Sequence, residues 1–122
     1  MCGISGIAAL SARTQINELD VRRMLPALHH RGPDGNGTYI DHNGRLGLGH
    51  TRLSIIDPAG GAQPMPNEDR TVWVSFNGEI FNYLELREML LVAGHCFRTQ
   101  SDTEIIVHAY EQYGDDFVQY LN

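Results

Sequence analysis

A chain of 122 residues, 42% of them apolar, holds one domain's worth of packed core and excludes a disordered composition. Its formal net charge is −6 and all nine basic residues are arginine, so the clustered positive charge needed for nucleic-acid binding is missing. No run approaches the ~20 apolar residues of a membrane span, and no basic stretch leads into an apolar one at the start. This composition predicts a cytoplasmic protein in which Cys2 and Cys96 stay reduced.

Taken in order, Gly3 to Leu10 is an apolar run that predicts a buried strand with Cys2 at its head. Asn17, with Asp20 in the first turn, predicts the cap of a helix through Leu19, Met24, Leu25 and Leu28, which Pro26 should end or kink. Arg31 to Gly37 is dense in turn formers. Strands follow over Thr38 to Asp41 and Leu46 to His50, joined at Asp41-His42-Asn43-Gly44, with Arg52 to Ile56 extended. Asp57 to Arg70 is a long loop, and Thr71 to Phe76 has the β-branched and aromatic content of a strand.

Asn82 with Glu85 matches a capping box, opening a helix that closes at Gly94. His95 to Thr99 predicts a short strand, with Cys96 buried and inert. Ser101 with Glu104 matches a second box, starting a helix that runs through Ile105, Ile106, Ala109 and Tyr113 to Gly114. Asp115 to Asn122 reads as the start of another helix. Strands and helices mix without βαβ alternation, so the fold class is α+β.

The chemistry starts at Cys2. Removal of Met1 would leave one residue carrying both a thiol and an α-amine. A free thiol with pKa near ~8.5 needs a base, and an amine titrating near ~7.7–8.0 can serve as one. Position alone is equally compatible with a small buried cysteine.

Five segments then stand in series: Cys2-Gly3-Ile4, His30-Arg31-Gly32-Pro33-Asp34-Gly35, His50-Thr51-Arg52-Leu53-Ser54-Ile55-Ile56-Asp57, Phe76-Asn77-Gly78-Glu79-Ile80-Phe81-Asn82-Tyr83 and Ser101-Asp102-Thr103-Glu104. The series resembles class II (N-terminal nucleophile) glutamine amidotransferases. The Arg-Gly-Pro-Asp-Gly loop, Arg52 to Asp57 and Gly61-Ala62-Gln63-Pro64 make it most similar to the glutaminase domain of asparagine synthetases.

That resemblance implies an α-β-β-α sandwich and a role for each matching residue. Cys2 attacks the side-chain amide of L-glutamine, passing through a thioester to glutamate and ammonia. The Asn77 side chain and the Gly78 N–H stabilise the oxyanion, a role whose loss typically costs ~2.7–4 kcal/mol. Arg52 pairs with the substrate carboxylate. Asp102 and Glu79 receive its ammonium, while backbone groups of Leu53, Ile55 and Ile56 line the pocket. Arg31 lies near the cysteine.

Each residue also has a plainer reading. Asn77-Gly78 fits a type I′ turn. Arg52 fits a solvated arginine, Asp102 the support of a helix N-terminus, and Arg31 a loop brace.

His29, His30, His50, His95 and His108 lack Cys/His ligand spacing, so no metal is expected in this domain. The resemblance places ATP and magnesium in a C-terminal synthetase domain, making this chain an N-terminal fragment expected to be poorly stable and feebly active alone. Two other readings stay open: a glutamine-binding or interaction fragment without turnover, and a glutaminase domain serving a different acceptor.

Overall fold

The computed structural model describes residues 1–53 and 60–122. Among these, the chain divides into two compact units, one of residues 1–53, 62–64 and 75–77, the other of residues 60–61, 65–74 and 78–122.

The first unit is a three-stranded antiparallel sheet with two short helices. Strands β1 (Gly3–Ala8), β2 (Gly35–Ile40) and β3 (Leu46–Arg52) lie in the order β1-β3-β2. Gly3 pairs with Thr51 and Ile7 with Gly47, while Gly37 pairs with His50 on the other side of β3. Helices α1 (Glu18–Arg22) and α2 (Leu25–Leu28) pack on one face. The expected cap is present: Asn17 Oδ1 accepts the N–H of Leu19 at 2.9 Å, and Asp20 Oδ2 accepts the N–H of Asn17 at 2.9 Å. Pro26 stands in the first turn of α2, where its missing N–H is not needed.

Glycine lets the helices dock closely. A Cβ at Gly49 would stand 2.5 Å from Ser5 Oγ and 2.9 Å from both Leu25 Cδ2 and Val21 Cγ1. The opposite face of β1 is open, with Ile4 50% exposed. The apolar run is therefore a strand covered on one side rather than a buried one.

The second unit joins β4 (Met65–Pro66) and β5 (Trp73–Val74) to helices α3 (Tyr83–Val92) and α4 (Glu104–Tyr113) and a final 3₁₀ helix, Gly114–Tyr120. Ile80, Leu86, Leu90, Ile105, Val107 and Ala109 are buried in it. Asn67 ties the β4–β5 connection, its Oδ1 accepting the N–H groups of Thr71 at 2.9 Å and Val72 at 3.1 Å.

Several expectations are corrected. Only Trp73–Val74 of the six-residue Thr71–Phe76 run joins a ladder. The Phe76 N–H is taken by Gln63 Oε1 at 2.6 Å, a side chain in place of a neighbouring strand. His95 to Thr99 is not a strand, and Cys96 is exposed. The Thr99 N–H and Oγ1–H and the Arg98 N–H all donate to the Glu104 carboxylate, which takes two of that segment's backbone donors away from any ladder.

Neither later capping box forms. Asn82 instead donates to the Tyr120 carbonyl at 2.8 Å and accepts from the Asn122 N–H at 3.0 Å, pinning the chain end to the start of α3. Ser101 Oγ accepts from Thr103 at 3.3 Å, but the Glu104 carboxylate is committed to Arg98 and Thr99. The residues after α4 coil into the 3₁₀ helix, with Tyr113 stacked on Tyr120 at 4.0 Å.

The end of α3 is as expected. The N–H of His95 returns to Leu90 O and that of Gly94 to Leu91 O, both at 3.0 Å, with Gly94 at φ +101°.

Candidate active site

In the first unit, Cys2 precedes β1 and its sulfur meets the backbone that leaves β3. Leu53 donates its N–H to Cys2 Sγ at 3.4 Å, and the thiol faces Leu53 O at 3.7 Å. These residues are 51 apart in sequence, brought together by the β1–β3 register.

The approach is tight. A Cβ at Gly3 would stand 2.6 Å from Thr51 Oγ1 and 2.8 Å from Leu28 Cβ. Thr51 Oγ1 in turn donates to Leu28 O at 3.0 Å, so α2, β1 and β3 are knotted at the cysteine. Arg31 Nε donates to the Cys2 carbonyl at 3.1 Å. That guanidinium braces the backbone carrying the sulfur, which joins the loop-brace reading to the expected place beside Cys2.

Arg52 ends β3, and its carbonyl accepts the Asp34 N–H at 2.9 Å. Its neighbour His50 is fully buried, with Nδ1 hydrogen-bonded to Ser75 Oγ at 3.1 Å. Burial, and after it the charge of Arg52, hold His50 down at about 4, so the ring is neutral at physiological pH. Asn77 is half-buried and follows Ser75 and Phe76, the pair held by His50 and by Gln63. Two expected pocket residues, Ile55 and Ile56, lie outside the described residues.

In the second unit, Gly78 and Glu79 are exposed. Among the described residues, positive φ occurs at Arg70, Gly44, Gly94 and Gly114, so the Asn77-Gly78 pair is not a type I′ turn, which needs it at both positions. Asp102 is 5% exposed, and its Oδ2 accepts the Ile80 N–H at 3.0 Å. The carboxylate therefore anchors the backbone just after Gly78 and Glu79 rather than serving only its own helix.

The structure thus joins Cys2, Arg31 and Leu53 in the first unit, and ties Asp102 to the segment following Glu79 in the second. Sequence reading missed Thr51, Ser75 and Gln63 as the residues that hold these backbones. Ser75 sits inside an apparent strand and Gln63 inside a long loop, and no local pattern marks either as a partner. Gln63 alone carried a hint, through the Gly61-Ala62-Gln63-Pro64 run.

Comparison with known proteins bears on the same residues. The chain is 48% identical over 122 residues to the asparagine synthetase (glutamine-hydrolyzing) of Sandersonia aurantiaca, covering all of this chain and 22% of that protein. Identity to asparagine synthetase (glutamine-hydrolyzing) 1 of Arabidopsis thaliana is 48% over 122 residues, and 20% of that protein is covered. Against the Bacillus subtilis asparagine synthetase (glutamine-hydrolyzing) 1 it is 43% over 118 residues, 95% of this chain and 18% of that one. The chain thus spans about a fifth of the length of these curated relatives. The family model for the glutamine amidotransferase domain matches residues 1–122, and the chain belongs to that family.

Proposed function

We propose that residues 1–122 are the glutamine-hydrolysing part of an asparagine synthetase, with Cys2 as nucleophile. The observation that carries this reading is the Cys2 sulfur set against the Leu53 main chain at 3.4 Å, within a chain matched throughout by the amidotransferase family. The α-amine freed by loss of Met1 takes the proton of the thiol as the sulfur attacks.

Thiolate attack on the glutamine amide carbon forms a tetrahedral adduct whose oxyanion falls to the Asn77 side chain and the Gly78 N–H. Collapse transfers the proton to the leaving nitrogen and releases ammonia. Water then cleaves the γ-glutamyl thioester to glutamate and restores Cys2. Arg52 fits the substrate carboxylate by its fork of donors, Asp102 and Glu79 the ammonium, and the backbone of Leu53, Ile55 and Ile56 the walls.

The antiparallel sheet with helices on one face supports assignment to the α-β-β-α sandwich of N-terminal-nucleophile hydrolases. Asparagine formation requires the ATP- and magnesium-using synthetase domain implied by the family resemblance, acting on aspartate in a cytoplasmic enzyme. No cofactor enters the glutaminase chemistry itself.

The test is intact-mass analysis after exposure to a glutamine-analogue electrophile. One adduct on the wild-type chain, absent in Cys2→Ala, supports the reading. A folded wild-type sample that takes no adduct, or an adduct that survives Cys2→Ala, rejects it.

A further inference from the structure

The second unit gathers four donors that the glutamine chemistry does not use. Glu68 lies between β4 and β5, His95 just past α3, and His108 and Glu111 one turn apart on α4. One ligand atom from each lies within 4.8 Å of all the others. The inward atoms are Glu68 Oε2 and Glu111 Oε2, each 3.3 Å from His108 Nδ1, with His95 Nδ1 3.7 Å from Glu111 Oε2. His108 is fully buried. Glu68 Oε2 is also buried, and it accepts no hydrogen bond from the described residues.

Two of the outward atoms are hydrogen-bonded, those of His95 and Glu111. His95 Nε2 meets Gln112 Oε1 at 3.1 Å, and His108 Nε2 faces Glu104 Oε1 at 3.6 Å. Glu111 Oε1 accepts from Asn67 Nδ2 at 2.7 Å. Glu104 is itself fixed by the N–H groups of Arg98 and Thr99. Both imidazoles present Nδ1 inward; Gln112 orients His95 from behind, the outer-shell pattern of a metal-binding histidine, while His108 Nε2 makes no hydrogen bond with the described residues.

We propose that Glu68, His95, His108 and Glu111 form a binding site for a divalent transition ion, zinc by its donor chemistry. Two imidazoles among four donors favour zinc over magnesium or calcium, which take oxygen ligands. Two carboxylates also neutralise a 2+ ion, which suits a site walled by the fully buried His108. Tetrahedral zinc with bonds of ~2.0–2.1 Å needs donors ~3.3 Å apart, so the widest pair must close by about 1.5 Å. The Glu68 and Glu111 side chains, 35% and 25% exposed, have the freedom to do this.

The competitor is a proton on His108, shared among Glu68, Glu104 and Glu111, with His95 and the Phe97 ring against it. Zinc must displace that proton, so its affinity falls in acid.

The full chain, stripped with a chelator, is titrated with zinc against a chromophoric competitor and separately with cobalt. The expected result is one zinc per chain, visible d–d bands with cobalt, and no thiolate charge-transfer band. His95→Ala and Glu111→Gln should each weaken zinc at least 10-fold, and Gln112→Ala, which touches no metal, by about 10-fold. Each variant's helical content is checked by circular dichroism, and His108 is left intact because it is buried. Wild-type chain that retains no zinc overturns the proposal. So does zinc held equally well by folded His95→Ala, or lost in Cys96→Ser.

Discussion

At the residue scale, the two histidines buried in their respective units are driven in opposite directions by what surrounds them. His50 meets Ser75 and the field of Arg52, so burial and like charge favour the neutral ring. For His108, burial also works against the cation, but Glu104, Glu68 and Glu111 outweigh it and raise its pKa. Side-chain NMR should therefore show one ring that stays neutral down to about pH 4, and another that stays protonated above its ordinary value of 6.5. Two rings titrating together near 6.5 would refute the placement of Arg52 and of the three carboxylates.

The same scale governs catalysis. Asn77→Ala should lower kcat for glutamine by ~10²–10³-fold if the side chain donates to the oxyanion, with KM little changed. A change confined to KM would instead make Asn77 a binding residue. Leu53 meets Cys2 Sγ through its main-chain N–H, so under the proposed chemistry side-chain substitutions there should matter far less than Cys2→Ala.

At the element scale, the consequential contacts are those that replace the expected local ones. Asn82 has the sequence position of a helix cap, but its side chain spans to Tyr120 and Asn122. Asn82→Ala should therefore loosen the 3₁₀ helix, not the first turn of α3. Two lost hydrogen bonds predict a cost of roughly 1–3 kcal/mol in urea titrations, with faster amide exchange at residue 122. Gly49→Ala should cost roughly 1–3 kcal/mol by pushing Val21 and Leu25 off the sheet. An unchanged urea midpoint for Gly49→Ala would mean the α1 and α2 packing is wrong.

These cases also mark how far the sequence was legible. The Asn17 cap, the hairpin at Asp41 to Gly44 and the Gly94 stop are local devices whose partners sit within a few residues, and each was readable. Cys2 with Leu53, Phe76 with Gln63 and the Glu68-His95-His108-Glu111 cluster depend on partners brought together by tertiary folding, and spacing reveals none of them. The motif series supplied the chemistry of the first of these by family resemblance. It supplied nothing for the last.

For the molecule as a whole, stability should pass through a maximum near pH 6.5. The contribution of neutral His50 is complete above 6.5 and is lost as pH falls toward about 4, a difference of as much as about 3 kcal/mol. For Glu104, burial alone would raise the pKa, but the neighbouring His108 ring and bonds from Thr99 and two backbone N–H groups bring it to about 2. Its contribution is present above 4.5 and is lost as pH falls from there toward 2. His108 runs the other way, stabilising fully below 6.5 and losing that effect as pH rises through its elevated folded value. Urea midpoints across this range should rise and then fall. A midpoint that climbs steadily into alkali would contradict the His108 assignment.

Apolar side chains also remain on the surface, with Phe81 77%, Leu84 60% and Val92 90% exposed. None of the described helices is long and apolar enough to cross a membrane.

The decisive measurement concerns the amino terminus. Chains that retain Met1 and chains that begin at Cys2 are exposed in parallel to the glutamine-analogue electrophile, and adduct formation is followed by intact mass. Rapid single labelling of the Cys2-initiated chain, with almost none on the Met1-bearing one, is expected if the α-amine is the base. Equal labelling of both forms would remove the amine from the mechanism and with it the proposed chemistry.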